Sequence, residues 1–171
     1  MERIARHIKP QLNKWYFKDK ALLLIGPRQV GKTTLLKQIA NEQDAEAIWL
    51  DADLPDVREQ LNNPTLAQIK ATIGSYKFVI IDEVQRLSNP GLLLKIMVDN
   101  FSDVQFIATG SSSLEISETI FEPLTGRHIL FNLYPFSLHE LYPTKSPFEV
   151  EQTLDFHMVY GMYPEITQKQ D

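Results

Sequence analysis

Eight residues near the start of the chain have the composition and spacing of an anion cradle: Gly26-Pro27-Arg28-Gln29-Val30-Gly31-Lys32-Thr33. The spacing is G-x-x-x-x-G-K-[ST]. Glycines let successive backbone N–H groups turn inward and form a nest for negative charge. A helix opening behind such a loop adds its partial positive end. Lys32 would reach the terminal phosphates of a nucleoside triphosphate, and the Thr33 hydroxyl would bind Mg²⁺. Gly26 through Thr33, with Thr34 beyond them, are the candidate nucleotide contacts. A turn that merely joins strand to helix would account for the glycines, but it needs neither Lys32 nor Thr33.

Three further positions could complete a phosphate-transfer site. Phe78-Val79-Ile80-Ile81 is an apolar run that ends in Asp82-Glu83. Ligands of open α/β sheets bind at the carboxyl ends of strands. Asp82 there would hold Mg²⁺, and Glu83 would polarise an attacking water as a general base. Val104–Ala108 reads as a further strand, followed by Thr109, Gly110 and Ser111. If this strand lies between the other two, Thr109 or Ser111 approaches the γ-phosphate, though either serine after Gly110 could equally cap a helix. Arg127, in Leu124-Thr125-Gly126-Arg127, could supply positive charge to a neighbouring copy's site or form a surface ion pair. Asp51 and Asp53 read as turn residues. The four histidines show no metal-ligand spacing.

The elements that must position these residues alternate. Short β-branched runs are separated by amphipathic stretches, the pattern of βα units on a parallel sheet. Ile4, Ile8, Leu12 and Tyr16 predict a leading helix over 2–16. Ala21–Ile25 predicts a strand buried on both faces. Lys32–Asn41 has helical spacing, and Ala47–Leu50, Phe78–Ile81, Val104–Ala108 and His128–Leu133 predict four more strands. Residues 55–74 predict two helices broken at Asn63-Pro64, with Gly74 as C-cap. Asn89 can cap a helix with Pro90 in its first position, running to Asn100. Ser111–Ser113 can cap another. Ser146, Pro147 and Glu149 predict a capping box and a helix to Tyr160, stopped by Gly161.

Composition sets the frame. The chain has 171 residues, 43% apolar and 23% charged, which is one domain's worth of chain with ordinary globular composition. Cysteine is absent, which excludes a disulfide framework, a thiolate zinc site and a cysteine nucleophile. No apolar run is long enough to span a bilayer. The expectation is a cytoplasmic protein with no membrane partner. Seventeen Lys and Arg against 22 Asp and Glu give a net charge of −5, which does not support a nucleic-acid partner. The first twenty residues are locally basic, a pattern that most often marks a solvated helix face.

Strand, glycine loop, helix, Asp-Glu strand, Thr109 strand and Gly-Arg before the last strand together resemble the ATPase core of the AAA+ superfamily. Gly26–Thr34, Ile81-Asp82-Glu83-Val84-Gln85, Thr109-Gly110-Ser111-Ser112, Leu124-Thr125-Gly126-Arg127 and Leu133-Tyr134-Pro135-Phe136-Ser137 are similar to a group of prokaryotic AAA+ ATPases carrying a C-terminal domain of unknown function. The resemblance implies an α/β three-layer P-loop NTPase with a five-stranded parallel sheet of order 5-1-4-3-2. It implies ATP and Mg²⁺, catalytic roles for Glu83, Thr109 and Arg127, and homo-oligomerisation through Arg127 in trans. It further implies a core over 1–134 with a leading helix. Residues 135–171 are then a helical extension, cut before a lid and C-terminal domain that would begin near Gly161. A fragment without that lid is expected to hydrolyse ATP weakly.

Three functions stay open at this stage. One is an ATPase that drives movement of an attached domain or partner. Another is a nucleotide-dependent switch with negligible turnover. The third is a small-molecule kinase, disfavoured because residues 128–171 contain no arginine. GTP specificity is disfavoured by the absence of an N-K-x-D motif.

Overall fold

The computed structural model describes residues 4–42, 46–111 and 122–167. Five parallel strands form one sheet: β1 (Ala21–Ile25), β2 (Ala47–Asp51), β3 (Phe78–Asp82), β4 (Gln105–Gly110) and β5 (His128–Asn132), in the order β2-β3-β4-β1-β5. Read from the other edge this is 5-1-4-3-2, the order implied by the resemblance.

The apolar run of β1 is continuous because both faces of the strand are covered. Ala21, Leu23 and Ile25 belong to one core, and Leu22 and Leu24 to the other. The first core is closed by α3 (Pro55–Leu61), α4 (Leu66–Ile73) and α5 (Pro90–Asn100), through Leu61, Ile69, Ile73, Leu93, Leu94 and Met97. The second is closed by α1 (Lys9–Asn13) and α2 (Lys32–Glu42), through Leu12, Leu35, Leu36 and Ile39. Each fully buried Leu or Ile contributes about 1.5–3 kcal/mol of transfer free energy, so a site at the strand ends rests on a rigid platform.

Strand β4 runs two residues beyond the expected Ala108. Its register pairs Leu24 with Thr109 and Ile25 with Gly110, so Thr109 is a strand residue, fully buried.

Several expectations are corrected. Among the described residues the leading helix is Lys9–Asn13, followed by turns, and positions 2 and 3 of the expected helix lie outside them. Pro10 sits in its first turn; a proline lacks the N–H and blocks helix before it, so helix cannot run through from residue 4. Helix α5 begins at Pro90 as expected, yet Asn89 makes no side-chain cap. The helix expected over 146–160 is two pieces, α7 (Pro147–Glu151) and α8 (Leu154–Tyr160), joined by Gln152 and Thr153. Ahead of them stands α6 (Leu138–Leu141), and behind them α9 (Pro164–Thr167). The helix expected from Ser111–Ser113 lies mostly outside the described residues. Among the described residues, no helix is long and apolar enough to cross a membrane.

Candidate functional site

The loop Gly26–Gly31 leaves the end of β1 and enters α2 at Lys32. Gly26 is required by close approach: a Cβ there would sit 2.2 Å from the Leu133 carbonyl oxygen. Gln29 (φ 62°) and Gly31 (φ 98°) are both left-handed, which bends the loop into a concave nest of N–H groups. Val30 turns its side chain into the second core and so anchors the loop, leaving only its backbone for a ligand. Leu35 N–H bonds to the Gly31 carbonyl, so the free N–H groups of the first helical turn face the nest.

Lys32 is buried, and its ammonium donates to the carbonyls of Gly26 (2.8 Å) and Pro27 (3.0 Å). Burial lowers its pKa. The negative charges of Glu83 and Asp82 push it back up, and Arg28 pushes it down. Thr33 Oγ1 donates to Asp82 Oδ2 at 3.1 Å, bringing together the two side chains that the sequence pairs for Mg²⁺. A hydroxyl and one carboxylate are hard oxygen donors. They suit Mg²⁺, which keeps several waters and shares the rest of its shell with phosphates. No cluster of three or more His, Cys, Asp or Glu able to hold a metal occurs among the described residues, and such a site does not need one.

Thr109 does not face the cleft. Its hydroxyl donates to Asp82 Oδ1 and accepts the backbone N–H of Glu83 at 3.3 Å. It holds the acid and the turn after it in place. Glu83 has φ 52° and ψ 45°, a left-handed conformation uncommon outside glycine. This reverses the chain sharply and sends the two neighbouring acids in different directions, with Glu83 lining the cleft. A short 3₁₀ turn, Val84–Arg86, follows.

Arg127 is not brought into this chain's site. It precedes β5, and its carbonyl accepts the Ala21 N–H at the start of β1. That is the opposite end of the sheet, roughly 16 Å away for five residues of strand. Its guanidinium pairs with Asp99 at 2.6 Å, and both side chains are partly exposed.

The cleft beside the loop has a volume of about 360 Å³, and Arg28, Gln29, Gly31, Lys32, Thr33 and Thr34 line one wall. Three residues of its surroundings were missed by sequence reasoning as site residues. Asp53 follows β2 and lines the cleft, where Arg86 Nε holds its carboxylate at 2.9 Å. Pro164 of α9 also lines it. The segment before α9 is tied down by the bond from Phe136 N–H to the Met162 carbonyl (2.9 Å), so the chain's last described turn comes back over the loop. Gln85 touches Glu83. Asp53 and Pro164 carry no local signal, because only the tertiary fold brings them here. Gln85 enters the sequence reading only as the last residue of the motif Ile81–Gln85, with no role attached to it.

The parallel sheet, the loop at the end of β1 and the acid at the end of β3 define a P-loop nucleotide-binding core. The family described as "AAA domain" matches residues 18–142, and the chain belongs to it. An uncharacterized protein of Mycobacterium tuberculosis is 29% identical over 137 residues, covering 80% of this chain and 30% of that protein. The Holliday junction branch migration complex subunit RuvB of Bdellovibrio bacteriovorus is 34% identical over 119 residues, 68% of this chain and 30% of RuvB. The C. elegans PCH-2 structure superposes with a TM-score of 0.54 at 18% identity, covering 92% of this chain and 49% of that one, a likeness of fold alone. The chain spans about a third of the length of the curated relatives it matches. It is an ATPase-type, nucleotide-binding core of the AAA+ kind.

Proposed function

We propose that this core binds ATP with Mg²⁺ and hydrolyses it to ADP and phosphate, driving movement of an attached domain or partner. The observation that carries the reading is the contact of Thr33 with Asp82 (3.1 Å) beside the loop-held ammonium of Lys32. The loop N–H groups and Lys32 bind the phosphates. Thr33 and Asp82 would hold Mg²⁺, which would supply positive charge against the triphosphate. Glu83 accepts a proton from water as the water oxygen bonds to the γ-phosphorus and the bond to the bridging oxygen breaks. ADP leaves carrying the negative charge of that oxygen. The likeness to a subunit of a branch migration complex supports coupling of turnover to motion. Glu83→Gln should bind ATP as the parent does and lose turnover; parent-like turnover in that variant removes Glu83 from its role.

A second reading, a nucleotide switch with negligible turnover, is favoured by the position of Arg127 at the far end of the sheet, paired with Asp99. Steady-state turnover near zero in the full-length protein at every concentration would support it over the first. We propose that residues 135–171 extend the ATPase domain, since α9 reaches its cleft.

A further inference from the structure

Two hydroxyls stand at the end of β4, and each is linked to one of the two acids at the end of β3, Asp82 and the next residue Glu83. Thr109 bonds directly to Asp82. Ser111 reaches Glu83 only through Gln85: the Gln85 amide nitrogen donates to Glu83 Oε2 and lies 3.4 Å from Ser111 Oγ. The other end of the same carboxamide, Oε1, is buried without a hydrogen-bond partner. Buried amide oxygens are nearly always paired. An unpaired one, two residues from a left-handed Glu83, puts two unfavourable features on a single turn. Such features persist where a site needs them.

We infer that Gln85 is a positioning residue for Glu83. It fixes the carboxylate by one oxygen, leaves the other free to take a proton, and ties that arrangement to Ser111 at the end of β4. The residue type fits the task. A carboxylate at position 85 would repel Glu83, and a cation would pair with it and blunt its basicity. A neutral amide donor holds the group and leaves it a base. Lys32, Asp82, Arg28 and Asp53 are charged groups around this part of the cleft, and Gln85 adds no charge to them.

The inference rests on the proposed role of Glu83, so the test includes it. In the full-length protein, turnover, ATP affinity by calorimetry and thermal midpoint are compared for the parent, Glu83→Gln, Gln85→Met, Ser111→Ala and the Gln85→Met/Ser111→Ala double variant. Gln85→Met keeps the length and removes both amide atoms. Its kcat should fall about 10- to 100-fold through misplacement of the base, with ATP affinity unchanged and the midpoint unchanged or higher. Ser111→Ala should lower kcat less, and should cost nothing further once Gln85 is Met. Should Gln85→Met not fold, Gln85→Asn carries the test, because it withdraws the amide by one methylene. Parent-like kcat in the Gln85 variant overturns the inference, as does a parallel fall of kcat, affinity and midpoint, which would mark a structural role. If Glu83→Gln is inactive while Gln85→Met is fully active, only this inference fails. If Glu83→Gln turns over normally, the reading of Glu83 fails and takes this one with it.

Discussion

Gly26 and Tyr16 illustrate opposite demands on single residues. Gly26 has no room for a side chain, since a Cβ would lie 2.2 Å from the Leu133 carbonyl oxygen, a backbone atom. Gly26→Ala must therefore displace the loop or the chain leaving β5. We expect it to weaken nucleotide binding by about tenfold or more, since misplacement of about 1 Å in a positioned site is costly; calorimetry with ATP and Mg²⁺ checks this. Tyr16 packs edge-on against Phe78 at 5.5 Å, but its hydroxyl is buried with no partner. Burial, and then the negative charge of Glu42, push its pKa up, so the phenol stays neutral. Tyr16→Phe keeps the ring and removes an unsatisfied group. It should leave stability unchanged or raise it by about 1 kcal/mol, as read by urea denaturation; a loss of that size would mean the hydroxyl has a partner in solution.

At the scale of elements, capping chemistry decides where the short helices after β5 begin. Ser146 accepts the Glu149 N–H, while the Glu149 carboxylate takes the Ser146 N–H at 2.8 Å and its hydroxyl at 2.7 Å. These two bonds, the hydroxyl first, hold the Glu149 carboxyl below its ordinary 4.5. A depressed carboxyl adds stability above its unfolded pKa and loses it as pH falls through the folded value. Ser146→Ala should thus reduce helicity at pH 7, and the gap between parent and variant should narrow as the pH is lowered below 4.5, leaving the part due to the Glu149 N–H bond to the Ser146 hydroxyl; circular dichroism across that range checks it. This box was legible in the sequence because all its parts lie within four residues. So were the five strands: β1 and β3 as continuous apolar runs covered on both faces, and the edge strand β5 through alternation. The long leading helix was misread because Ile4, Ile8, Leu12 and Tyr16 kept helical spacing while Pro10 interrupted the backbone. In the site, Gly26 to Thr33, Asp82 and Glu83 were legible through spacing and strand ends. Asp53, Pro164 and the orientation of the Thr109 hydroxyl were not, because they depend on which strands become neighbours.

At the scale of the whole molecule, Arg127 and the cleft lie at opposite ends of one sheet. A catalytic role for Arg127 therefore needs a second copy. Its ion pair with Asp99 is partly exposed and is worth about 0–1 kcal/mol, so Arg127→Ala should fold. Arg127→Ala and Glu83→Gln should each be inactive alone, and mixing them should restore part of the turnover by joining an intact Glu83 to an intact Arg127. No recovery in a mixture shown to co-assemble would leave Arg127 as a structural residue. The proposed function rests first on the loop after β1 as a cradle for a triphosphate. The most direct measurement is titration calorimetry of ATP with Mg²⁺ into the parent and Lys32→Ala. The variant should lose at least about tenfold in affinity, since charge-assisted hydrogen bonds to phosphate are worth roughly 1.5–3 kcal/mol. Equal affinities in the two proteins would contradict it.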